Sequence, residues 1–152
     1  MMNEPKVKVS FKLILPLLAA IIAVSPLAID MYLPGMPELA DYFSTKMPLV
    51  QNSLSIYLVG YAIGLLVFGP MADKYSRRTM IMLGLSGFLL TTLGLTIVEN
   101  IEQFIALRFC QAFISSAATV VVPGIIRQLY GKNTAKGLSY VSMIMMLAPM
   151  IA

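Results

Sequence analysis

The 152-residue chain has no histidine, a single cysteine and little charge, and each shortage removes a class of function. Without an imidazole there is no histidine base and no histidine-ligated metal. Cys110 lies inside an apolar run, so an intrachain disulfide is excluded and no cysteine set remains for a structural zinc site. No serine or cysteine has a plausible base beside it, which leaves an enzymatic reading without support. Only 12% of the residues are charged, against the ~25% that keeps a soluble domain wet.

What the chain does have is apolar length: 59% of it is hydrophobic and its mean hydropathy is +0.84. Apolar runs of about bilayer thickness, roughly 20 helical residues each, extend from Phe11 to Leu33, Leu49 to Phe68, Thr79 to Val98 and Phe104 to Ile126. A fifth begins at Gly137 and is still apolar at Ala152. It reaches about 24 Å, short of the ~30 Å hydrocarbon core, so we expect a truncated fifth helix and read the chain as the N-terminal part of something longer. The fold class expected is all-α: a polytopic membrane helix bundle over residues 11–152, preceded by a polar, basic segment, residues 1–10.

The net charge of +4 does not mark a nucleic-acid surface, because the basic residues form separated clusters rather than one stripe. Lys6, Lys8 and Lys12 open the first span, Lys74, Arg77 and Arg78 follow the second, and Arg127, Lys132 and Lys136 follow the fourth. Nine of the 11 basic residues thus fall on one side. The opposite connections hold only Lys46, beside Glu38, Asp41, Glu99 and Glu102. The positive side is cytoplasmic, and with it the N-terminus. A cleaved signal peptide is a rival for the first span, given its basic start and small residues at Ala19, Ala20 and Ala23. Against it stand the length of the run, its interruption by Pro16 and Pro26, and the later loops, which alternate correctly only if the span is retained.

Two ionisable residues stand out, because charge at membrane depth is costly and usually functional. Asp30 closes the first apolar run and Arg108 sits about one turn inside the fourth. The first helix runs outward and the fourth inward, so both lie at similar depth in the outer part of the bilayer, where they could meet across a bundle interior. On one reading Asp30 gains and loses a proton under the influence of Arg108. On the other, Asp30 is a headgroup-level residue and Arg108 snorkels to the same surface. Gln111, one turn from Arg108, extends a polar ridge on that helical face. Gly60 and Gly64 form a small-xxx-small pair suited to close helix packing. Twelve Met and seven Tyr could line an adaptable binding surface, although Met is equally an ordinary lipid-facing residue.

Between the second and third spans lies a short charge-dense bridge, Gly69 to Arg78. Its Gly69, Asp73, Lys74, Ser76, Arg77 and Arg78 resemble the cytoplasmic loop signature of the major facilitator superfamily, with Ser76 where a Gly is usual. Asp30-Met31-Tyr32-Leu33-Pro34 is similar to the first-helix signature of the drug:proton antiporter branch, particularly the bicyclomycin-resistance (Bcr/CflA) group. Arg108-Phe109-Cys110-Gln111-Ala112 resembles the fourth-helix motif Arg-x-x-Gln-Gly, with Ala112 for the Gly. Ala148-Pro149 falls where the fifth helix approaches a Gly-Pro-x-x-Gly motif. The resemblance implies twelve helices in two halves and export of hydrophobic small-molecule drugs in exchange for protons across the bacterial inner membrane. It needs no cofactor beyond the proton, and its partners are the drug, the lipid bilayer and the missing C-terminal helices. It makes Asp30 the proton-responsive carboxylate, Arg108 its coupling partner, and Asp73, Arg77 and Arg78 a lock on the cytoplasmic side. The alternative in another class is a non-transporting membrane subunit that requires a separately encoded remainder.

Overall fold

Four segments among the described residues are long and apolar enough to cross a bilayer, and all of them are helical. The computed structural model describes residues 11–151. In chain order the helices are α1 (Phe11–Asp30), α2 (Met36–Tyr42), α3 (Met47–Lys74), α4 (Arg77–Leu95), α5 (Ile101–Tyr130) and α6 (Thr134–Ile151), with 3-10 turns at Leu33–Gly35 and Gly131–Asn133. The segment 1–10, expected to be cytoplasmic, lies outside the described residues.

Each expected span has a helix, but the helices do not end where the apolar runs do. α1 stops at Asp30 rather than Leu33, because Pro34 has no N–H with which to continue the ladder. The chain then turns into α2, a short helix that hydropathy did not reveal, with Pro37 and Glu38 in its first turn. α2 closes in a Schellman arrangement: the N–H of Thr45 donates to Ala40 O at 2.9 Å and that of Ser44 to Asp41 O at 3.0 Å. Ser44 takes φ +48° to do so.

The largest difference is at the bridge. α3 runs on through Gly69 to Lys74 and α4 starts at Arg77, so only Tyr75 and Ser76 remain between helices. Pro70 deletes one donor, yet the ladder still closes with the N–H of Tyr75 on Met71 O at 2.9 Å. Ser76 is the N-cap of α4, its Oγ accepting from the N–H of Thr79 at 3.2 Å. At 28 and 30 residues, α3 and α5 are about 42 and 45 Å long and outreach the hydrocarbon core. Gly131, at φ +50°, ends α5.

α5 is the centre of the bundle and touches α1, α3, α4 and α6. Its small residues Ser115, Ser116, Ala117 and Ala118 are all buried, and the glycines of α3 and α4 close on them. A Cβ at Gly64 would stand 2.6 Å from Phe113 O, and one at Gly84 2.5 Å from the backbone N of Ala118. One apolar core joins Leu18 and Ile22 of α1 to Val122 and Ile126 of α5 and Val141 of α6. Another, at the far end, gathers Tyr32, Met36, Val50, Val98 and Phe104. Leu66, Leu90 and Met150 point outward, as suits helices whose solvent is lipid.

Candidate functional site

Arg108 enters the bundle from α5 and is only 5% exposed. A guanidinium keeps its charge under any cellular condition, so its surroundings must replace water. Aromatic rings do much of this. The guanidinium carbon lies 4.0 Å from the ring centre of Tyr32, 5.2 Å from that of Tyr57 and 5.8 Å from that of Phe104. Arg108 Nη1 donates to Gln111 Oε1 at 3.2 Å, and Gln111 Nε2 donates to Thr92 Oγ1 of α4 at 2.7 Å. The polar ridge expected on this face of α5 is therefore a connected chain reaching α4. Among the described residues Arg108 Nε has no hydrogen-bond partner.

Tyr32 is itself fixed. Its hydroxyl donates to Val50 O at 3.1 Å and lies 2.5 Å from Ser53 Oγ, which donates to the same carbonyl at 2.6 Å. The ring that covers Arg108 is thus tied to the start of α3. Arg108, Gln111 and Thr92 also border a crevice of about 340 Å³ walled by Tyr32, Phe88 and Leu95.

Asp30 is not among these neighbours. It ends α1, half-buried, and the contact with Arg108 that their common depth allows is not made in this conformation. The reason is azimuth. Tyr32 turns towards α5, and a residue two positions earlier in a helical stretch faces another way. Depth in the membrane had placed the two charges at one level but did not fix their faces.

The residues of the loop expected on the cytoplasmic side divide in the same manner. Arg77 Nη1 donates to Gln128 Oε1, tying the start of α4 to the end of α5 near Gly124. Asp73, Lys74 and Arg78 are exposed, and their side chains form no hydrogen bond or ion pair among the described residues. Gly69 lies within α3, and a Cβ there would meet nothing within 4 Å. Ala148 and Pro149 belong to α6.

Sequence reasoning missed Tyr57, Thr92 and the serines of α1 and α3 that join the helices. Ser25 Oγ of α1 lies 3.5 Å from Ser115 Oγ of α5, and Ser53 holds Tyr32. Hydroxyls in apolar runs carry no charge to betray them, and only the packing shows which ones face inward.

A family model described as Major Facilitator Superfamily matches residues 18–152. A bicyclomycin resistance protein homolog of Haemophilus influenzae is 35% identical over 152 residues, covering 99% of this chain and 37% of the relative. A chloramphenicol resistance protein of Pseudomonas aeruginosa is 31% identical, covering 82% of this chain and 31% of its own. The multidrug resistance protein MdtL of Escherichia coli O157:H7 is 31% identical, covering 88% and 34%. The chain thus spans about a third of the length of the curated relatives it matches.

Proposed function

The chain belongs to the Major Facilitator Superfamily, and on that basis we propose that it forms the first helices of a drug:proton antiporter of the bacterial inner membrane. In this reading the N-terminus is cytoplasmic, the cargo is a hydrophobic small molecule and the coupling ion is the proton. No cofactor and no enzymatic step are assigned. The names of the bicyclomycin, chloramphenicol and multidrug resistance relatives support drugs as the cargo class.

The observation that carries the reading is the buried Arg108 with no carboxylate of the described residues hydrogen-bonded or ion-paired to it, while Asp30 stands half-buried on α1. A permanent charge at this depth is costly, and an apolar residue would pack there more cheaply. Its retention fits a group that changes partners as helices rock. Ionised Asp30 would be drawn to the positive field of Arg108, and protonated Asp30 would not. Proton uptake would thereby bias the position of α1 against α5. Asp73, Arg77 and Arg78 would steady the cytoplasmic end, Arg77 through Gln128.

Substrate sites in such folds lie between repeats near the midplane, so this chain supplies one wall and needs the remaining helices to transport. Asp30→Asn in the intact transporter is expected to abolish proton-driven drug efflux from everted vesicles. Efflux that still responds to a proton gradient in that variant overturns the coupling role. Cells expressing only these 152 residues are expected to show no rise in drug resistance.

A further inference from the structure

Arg108 borders a crevice of about 340 Å³, which gives an untethered arginine room to swing. Two neutral hydroxyl groups on other helices remove that freedom. Thr92 of α4 acts on the edge of the guanidinium through Gln111, and Ser53 of α3 acts on its face through Tyr32.

The edge is fixed by a chain whose polarity has one solution. Thr92 Oγ1 donates its only proton to Phe88 O at 2.7 Å, a back-bond within its own helix. It can then only accept, so Gln111 must present Nε2 to it, at 2.7 Å. Gln111 Oε1 is thereby turned to Arg108 Nη1, at 3.2 Å. A flipped amide would set two acceptors against each other at Thr92 and two donors at Arg108. Both bonds would be lost where Gln111 is only 3% exposed.

The face is fixed from α3. The Tyr32 ring centre lies 4.0 Å from the guanidinium carbon, and its hydroxyl shares Val50 O with the fully buried Ser53. With a ring on one face and an amide on Nη1, the edge that carries Nε is left, and Nε donates to none of the described residues. It is an edge that a carboxylate takes when it binds a guanidinium side-on.

We propose that Thr92 and Ser53 are positioning residues for proton coupling. They hold the guanidinium with its Nε edge free for the carboxylate of Asp30, in the state where α1 brings it within reach. The proposal rests on the coupling reading above and adds α3 and α4 to the coupling site through two groups that carry no charge.

The test uses the intact transporter and two readouts. The first is modification of Arg108 by phenylglyoxal, followed by peptide mass spectrometry, with the exposed Arg78 as reference in the same sample. Thr92→Val keeps the shape of the side chain and removes the acceptor, and Ser53→Ala frees the Tyr32 ring. Each is expected to raise Arg108 modification about fivefold, the shift that losing one ordinary hydrogen bond produces, with Arg78 unchanged. Thr92→Ser, which keeps the hydroxyl, should match the parent. The second readout is uptake of radiolabelled chloramphenicol into everted vesicles. Thr92→Val should slow proton-driven uptake about tenfold and leave counterflow, which needs no proton gradient, at the parent's rate. A merely structural role would lower both together. Unaltered Arg108 reactivity in both Thr92→Val and Ser53→Ala overturns the proposal whatever the cargo is. Raised reactivity with proton-driven uptake at the parent's rate also overturns it, and leaves the exporter reading in place. Coupling that survives Asp30→Asn overturns the reading beneath the proposal and, with it, Asp30 as the carboxylate received.

Discussion

A guanidinium cannot shed its proton, so burying Arg108 commits the bundle to a cost that three aromatic rings and one amide only partly offset. Among the described residues its Nε is left without a hydrogen-bond partner. Replacing a buried charge by an apolar side chain of similar volume is often neutral or stabilising. Arg108→Met is therefore expected to keep the unfolding free energy of the intact transporter within ~1 kcal/mol of the parent, or raise it, while removing proton coupling. Unfolding of the variant in detergent would show that Arg108 is structural. The glycines make a contrasting pair. Gly84→Ala drives a Cβ against the backbone of Ala118 and should destabilise by about 1–3 kcal/mol, read as a lowered melting temperature. Gly69→Ala has open space and helical backbone, so it should be neutral or stabilise by up to ~1 kcal/mol. Loss of transport in that variant would then come from another conformation, not from misfolding.

At the scale of elements, the departure of Ser76 from the usual loop glycine has a physical account: it caps α4 and also meets Thr79 Oγ1 at 2.6 Å. Glycine is a tolerable N-cap and alanine is not. Ser76→Ala should cost ~1 kcal/mol and Ser76→Gly only a few tenths, a ranking that thermal unfolding can check. This element also shows what hydropathy can and cannot read. The apolar runs gave the number of long helices, because ~20 apolar residues are needed to cross lipid. They could not give the helix ends, because a backbone ladder continues into polar sequence wherever hydrogen bonds allow. Asp73, Lys74 and Arg127 to Tyr130 are helical for that reason. α2 escaped because seven residues leave no periodic signal, although Pro37 and Glu38 in its first turn are start signals. The Asp30–Arg108 contact was inferred from depth alone, and depth carries no information about which face of a helix a residue occupies. Gln111 was legible, since a spacing of three does fix a shared face.

At the scale of the whole molecule, the arrangement around α5 ties the two ends of the bundle to different chemistry. One end carries the Tyr32–Phe104 aromatic cluster, and the other carries Lys74, Arg77, Arg78, Arg127, Lys132 and Lys136. Because positively charged loops are retained on the cytoplasmic side, the basic end should face the cytoplasm and the α2 end should face outward. The structure supplies the reporters for a direct check, since Lys46 and Arg78 are both exposed and lie at opposite ends of the bundle, Lys46 just before α3 and Arg78 in the first turn of α4. The single Cys110 is first replaced by Ser, so that each reporter is the only thiol. In whole cells with a permeable outer membrane, Lys46→Cys should react with a membrane-impermeant maleimide, whereas Arg78→Cys should react only after the inner membrane is opened. Reaction of Arg78→Cys in sealed cells, with Lys46→Cys protected, would invert the protein.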